Sequence, residues 1–154
     1  MNTSFNIFLD LEETVIDNWD NGMLIRSTAV REFLMQHGAV NFTVFSFAVW
    51  NKADQATFDR NHRLVLERAL DARVKACPTV EDFMQAEMKV TGIRFDTITD
   101  FVATKGKTGA FTTWCNLHHP TENCLLLDDV VDNIDIINRD SNRIIRFVNV
   151  ASID

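Results

Sequence analysis

Two short apolar runs constrain this chain most, because each ends abruptly in carboxylates. The first is Phe5-Asn6-Ile7-Phe8-Leu9, which runs into Asp10, with Glu12 and Thr14 following at alternate positions. The second is Asn123-Cys124-Leu125-Leu126-Leu127, which runs into Asp128-Asp129. Runs of this length suit strands buried on both faces, as in a parallel sheet. Acids at their carboxyl ends stand where open α/β sheets bind ligands. About four carboxylates at one sheet edge repel one another, and such a cluster calls for a cation.

Between these runs the chain alternates helix and strand signals. Ser27 to Gly38 reads as a helix, with Ser27 or Thr28 as N-cap and Gly38 as stop. Its sheet-facing stripe is Val30, Phe33, Leu34 and His37. The β-branched and aromatic stretch Asn41–Ala48 is a second strand that carries Ser46 near its end. Asp54 to about Val74 reads as one long amphipathic helix, with His62 on its apolar stripe as a half-buried histidine. Pro78 interrupts, and Thr79 caps a further helix to about Val90. Residues 95–103 read as a weaker strand. Lys105-Gly106-Lys107-Thr108-Gly109 reads as a turn before a helix marked by Phe111, Trp114 and Leu117. Asn133 to Ile137 reads as a helix opening, and Arg143–Val150 as the last strand.

The ordered set resembles the haloacid-dehalogenase-like (HAD) phosphohydrolases: a strand with Asp-x-Asp-x-Thr, a strand ending in Ser or Thr, a Lys before a helix, and a strand with Asp-Asp. The resemblance covers residues 5 to 150. One position departs from it, since Glu12 stands where the second Asp belongs. A bacterial response-regulator receiver also combines acids, a hydroxyl and a Lys. Its phospho-acceptor follows the third strand, which the order here disfavours.

The resemblance implies an α/β, Rossmann-like three-layer sandwich with a mostly parallel sheet and a minimal cap. It implies a single HAD-like domain over residues 1–154, with 52–92 as a helical segment forming at most a small insertion. It implies a Mg²⁺-dependent phosphatase working through an aspartyl-phosphate. Asp10 is then the nucleophile, and Glu12 the general acid and base. Ser46 and Lys107 hold phosphoryl oxygens, with Lys105 as rival to Lys107. Asp10, the backbone carbonyl of Glu12, and Asp128 or Asp129 ligate the metal. Glu12→Asp is expected to restore the family's spacing and raise turnover. The alternative is a catalytically weakened domain of this kind that binds a protein partner.

A small cap implies an open site for a phosphorylated substrate, small or macromolecular, or a lid borrowed within a homo-oligomer. Net charge is −7, which disfavours broad nucleic-acid binding. No apolar run reaches the roughly 18 residues of a membrane helix. Residues 1–4 lack the basic end of a signal peptide. The default expectation is therefore a cytoplasmic protein without membrane association. Cys77, Cys115 and Cys124 are expected as free buried thiols.

Overall fold

The computed structural model describes residues 4–154. Met1 to Thr3, part of the stretch read above for a leader, lie outside them. The protein is an α/β Rossmann-like three-layer sandwich. Strands β1 (Asn6–Leu9), β2 (Asn41–Val44), β3 (Arg73–Ala76), β4 (Cys124–Asp128), β5 (Ile134–Asn138) and β6 (Arg143–Asn149) form one sheet in the order β3-β2-β1-β4-β6-β5. All neighbours are parallel except β5 and β6. Helices are α1 (Ser27–Gln36), α2 (Lys52–Asn61), α3 (Arg63–Leu70), α4 (Val80–Thr91) and α5 (Ile98–His118).

Strand alternation divides the core into two layers. Ile7, Leu9, Phe42, Val44, Leu125 and Leu127 pack with Val30, Leu34 and Leu66 of α1 and α3. Phe8, Leu126, Ile145 and Phe147 pack on the other face with Phe83 of α4 and Phe101 and Phe111 of α5. Both faces of β1 and β4 are thus covered, which is why these strands read as unbroken apolar runs. The three cysteines are free and buried. Among the described residues no helix is long and apolar enough to cross a membrane.

Several expectations are corrected. The single helix Asp54–Val74 is two helices broken at His62, and it ends at Asp71, whose backbone is left-handed. Beyond it lies an unforeseen edge strand, β3, in which Val74 is buried between exposed Arg73 and Lys75. Segment 52–92 therefore contributes a strand to the main sheet. The outward backbone groups of Val74 are occupied, its N–H by Glu67 at 2.8 Å and its carbonyl by Arg63 at 3.2 Å. That protects an otherwise open sheet edge.

Residues 95–103 are not a strand. Thr97 accepts from the Asp100 amide at 3.1 Å and caps α5 there. Nor does Asn133 open a helix. Ile134, Ile136 and Ile137 are β-branched and form β5 against β6. Finally, Arg26, not Ser27 or Thr28, stands at the N-cap of α1, with no side-chain cap bond. Thr79 does cap α4, in a reciprocal pair with Asp82.

Candidate active site

The sheet order fixes where the site lies. The chain leaves β1, builds β2 and β3 to one side, then returns to place β4 on the other side of β1. Beyond the carboxyl ends of β1 and β4 lies the crevice that such a reversal opens. Leu9 is in register with Leu127, and the Asp10 amide donates to the Leu127 carbonyl at 3.0 Å. Asp10 and Asp128 are therefore the next residues of two adjacent strands, brought together by register alone.

Lys107 reaches both. Its Nζ lies 2.9 Å from Asp10 Oδ1 and 3.0 Å from Asp128 Oδ2. The bond to Asp10 is well aligned. Asp128 Oδ2 is close to the ammonium but makes no hydrogen bond, so a buried carboxylate oxygen keeps an open lone pair. Asp128 Oδ1 accepts from the Val130 amide at 2.8 Å. The Thr14 hydroxyl, fully buried, donates to Asp10 Oδ2 at 3.2 Å. Lys107 and Thr14 thus hold the Asp10 carboxylate from its two oxygens.

Gly106 aims Lys107. Its backbone, φ 65° and ψ 179°, interrupts α5 in a region open essentially to glycine alone. The turn expected over residues 105–109 is thus a one-residue break in a helix. Lys105 points elsewhere: its Nζ lies 3.4 Å from Oε1 of Glu87, a fully buried acid on α4 that also accepts from Thr113 at 3.0 Å. Of the two rival lysines, Lys107 is the one beside Asp10.

Ser46 is buried two residues past β2, where its Oγ accepts from the Ala48 amide at 3.1 Å. It lines the same cavity, about 380 Å³, as Asp10, Glu12, Lys107, Asp128 and Asp129. Glu12 lies beyond the three clustered aspartates. Its Oε2 accepts from the Trp19 amide at 2.8 Å. The Trp19 ring packs on His62, whose own ring abuts Gly22. A Cβ at Gly22 would come within 2.7 Å of that ring, and φ there is +62°.

Electrostatics follow from burial. Desolvation pushes Asp10 up to about 7, against the pull of Lys107 and with the push of Asp128. Burial works against the charged ammonium of Lys107, yet Asp10 and Asp128 outweigh it and hold its pKa above the ordinary value. Asp129 is also raised, chiefly by burial. One ammonium cannot neutralise three acids, so the cluster favours a further cation.

Carboxylate oxygens of Asp10, Asp128 and Asp129 lie within 4.8 Å of one another. With the open oxygen of Asp128, this all-oxygen set fits a hard divalent cation such as Mg²⁺. The Glu12 carboxylate is not in the set.

Three contributors were not assigned a role from sequence. Thr14 carried a signal through its place after Asp10. Asn149 did not: its Nδ2 donates to the carbonyls of Asp129 at 3.2 Å and Val131 at 2.9 Å, holding the loop that bears Asp129. Phe47, whose ring centroid lies 4.8 Å from Lys107 Nζ, forms one wall of the cavity. In comparisons with known proteins, no family model, curated protein or solved structure matches the chain.

Proposed function

We propose that this protein is a Mg²⁺-dependent phosphomonoester phosphatase of the HAD-like kind, acting through an aspartyl-phosphate on Asp10. The observation that carries the reading is Lys107 Nζ bridging Asp10 and Asp128 at 2.9 and 3.0 Å beside Asp129. A lone ammonium over a carboxylate cluster at a strand switch point suits a dianionic phosphoryl group delivered with a cation. Asp10, Asp128 and Asp129 would hold Mg²⁺, which supplies charge stabilisation at the phosphoryl oxygens and keeps a raised-pKa carboxylate ionised.

The chain's own residues account for the steps. An Asp10 oxygen attacks phosphorus, and the bond from phosphorus to the leaving oxygen breaks. That oxygen takes a proton from Glu12, which lines the same cavity. Glu12, now ionised, takes a proton from an entering water as the water oxygen attacks phosphorus. The bond between Asp10 and phosphorus breaks, releasing phosphate and restoring the carboxylate. Lys107 and the Ser46 hydroxyl hold oxygens of the transferred group, and Thr14 keeps the carboxylate plane fixed.

The test is turnover of phenyl phosphate with and without Mg²⁺, alongside the melting temperature in the same buffers. Hydrolysis that needs Mg²⁺ and disappears in Asp10→Asn is the expected result, with a Mg²⁺-dependent rise in melting temperature. Absent turnover and a melting temperature indifferent to millimolar Mg²⁺ would overturn the reading and favour the partner-binding alternative.

A further inference from the structure

Resting on the phosphatase reading, we infer that the site is built for a single phosphate on an uncharged aromatic body, an aryl phosphomonoester, and selects against polyanions. The charges around the cavity are lopsided. Among the described residues Lys107 is the one cation lining it, against the carboxyl groups of Asp10, Glu12, Glu13, Asp128 and Asp129. Lys107 and a divalent cation would offset the three ionised aspartates, which leaves no positive charge over for a second anionic group. A second anionic group on the substrate would meet Glu13 and the clustered aspartates, and among the described residues no second cation lines the cavity. Like-charge approach of this kind is a means of rejecting the wrong partner.

Much of the remaining wall is apolar. Phe47, Ala48, Val102 and Val130 line it. Val130 is 72% exposed, although it stands two residues past the buried Asp128, and its amide is fixed to Asp128 Oδ1. Its side chain is thus free to meet the body of a substrate whose phosphate lies at Asp10 and Lys107. Phe47 is held in place, because its carbonyl accepts from Trp50 Nε1 at 2.6 Å. Its ring lies beside Lys107 Nζ, so an aromatic leaving group on a phosphate held by Lys107 meets an aromatic face. The cavity volume of about 380 Å³ suits a phosphate and one ring.

The experiment compares kcat/KM for phenyl phosphate and 4-carboxyphenyl phosphate in Mg²⁺. The carboxylated ester has the same ring and no worse a leaving group, so a difference reports charge rejection. We expect it to be poorer by about tenfold, and Val130→Lys to close most of that gap. Phe47→Ala should lower kcat/KM for phenyl phosphate by about two- to tenfold, the range for losing one aromatic pair. Binding supplies a readout independent of turnover: phenylphosphonate should bind more tightly than methylphosphonate and shift the resonances of Phe47 and Val130. Equal kcat/KM for the two esters, or equal affinity for the two phosphonates, would overturn this inference while leaving the phosphatase reading intact. No hydrolysis of either ester and no binding of either phosphonate would overturn both.

Discussion

The backbone amide of Trp19 donates to Glu12 Oε2 at 2.8 Å, tying the one residue that departs from the expected motif to the loop that follows it. The bond engages one of the two carboxylate oxygens of Glu12. It uses the reach of the longer side chain. This changes the expectation drawn from sequence, in which Glu12→Asp improves the enzyme. With the anchor in place, Glu12→Asp should lose the Trp19 bond, retract the acid by about 1 Å and lower turnover by on the order of a hundredfold. Steady-state kinetics of the parent and Glu12→Asp on phenyl phosphate decide it, and faster turnover in the variant would remove the anchoring argument.

Lys105 and Lys107 should separate cleanly by substitution. Lys107→Met should lower turnover by about a hundred- to a thousandfold, the cost of losing one preorganised electrostatic partner. Lys105→Met should leave turnover within a few-fold. It strands Glu87, fully buried, with Thr113 alone. Lys105 is 27% exposed, so its loss costs about 1–3 kcal/mol, the range for leaving one buried polar group short of a partner, and the melting temperature should drop by about 5 °C. Turnover and thermal melts on the two variants measure this, and the reverse pattern would exchange the roles of the two lysines.

Burial of Asp10 makes the metal-free protein sensitive to pH. Its carboxyl moves from 3.8 unfolded to about 7 folded. Between those values the unfolded chain has released the proton and the folded protein still holds it. Stability from this group is therefore fully present below pH 3.8 and is lost as pH rises through 7. Asp10→Asn removes the dependence. In chelator-treated protein, Asp10→Asn should melt above the parent at pH 8, and the gap should close towards pH 4. Parallel melting curves for the two proteins across that range would show that Asp10 is not held in its protonated form by burial.

The parts of the fold legible from sequence are those dictated by burial on both faces. Strands β1 and β4 are covered on both sides, so their apolar runs and terminal acids stand out in the chain. The capping chemistry of Thr79 was equally plain. What escaped was decided by tertiary pairing. Arg73–Ala76 is polar at alternate positions because one of its faces is open, and it followed a helix closely enough to read as its last turn. Ile134–Ile137 became a strand because β6 lies beside it and four turn residues separate the two. At the site, residue order pointed to Asp10, Ser46 and Asp128, which the fold brings to one cavity. The choice between Lys105 and Lys107 depended on the backbone of Gly106. The Asn149 contacts span 20 and 18 residues, and the Trp19 contact closes a turn over seven residues that no spacing pattern announces.

The central claim is that Asp10 carries the phosphoryl group. Protein mixed with phenyl phosphate and Mg²⁺ and quenched in acid within a turnover can be treated with borohydride, which reduces an acyl phosphate to the alcohol. Peptide mass spectrometry should then find homoserine at position 10, at a level that rises when Glu12→Gln slows hydrolysis of the intermediate. Robust turnover with unmodified Asp10 at every quench time, or with the label on another residue, would contradict the account.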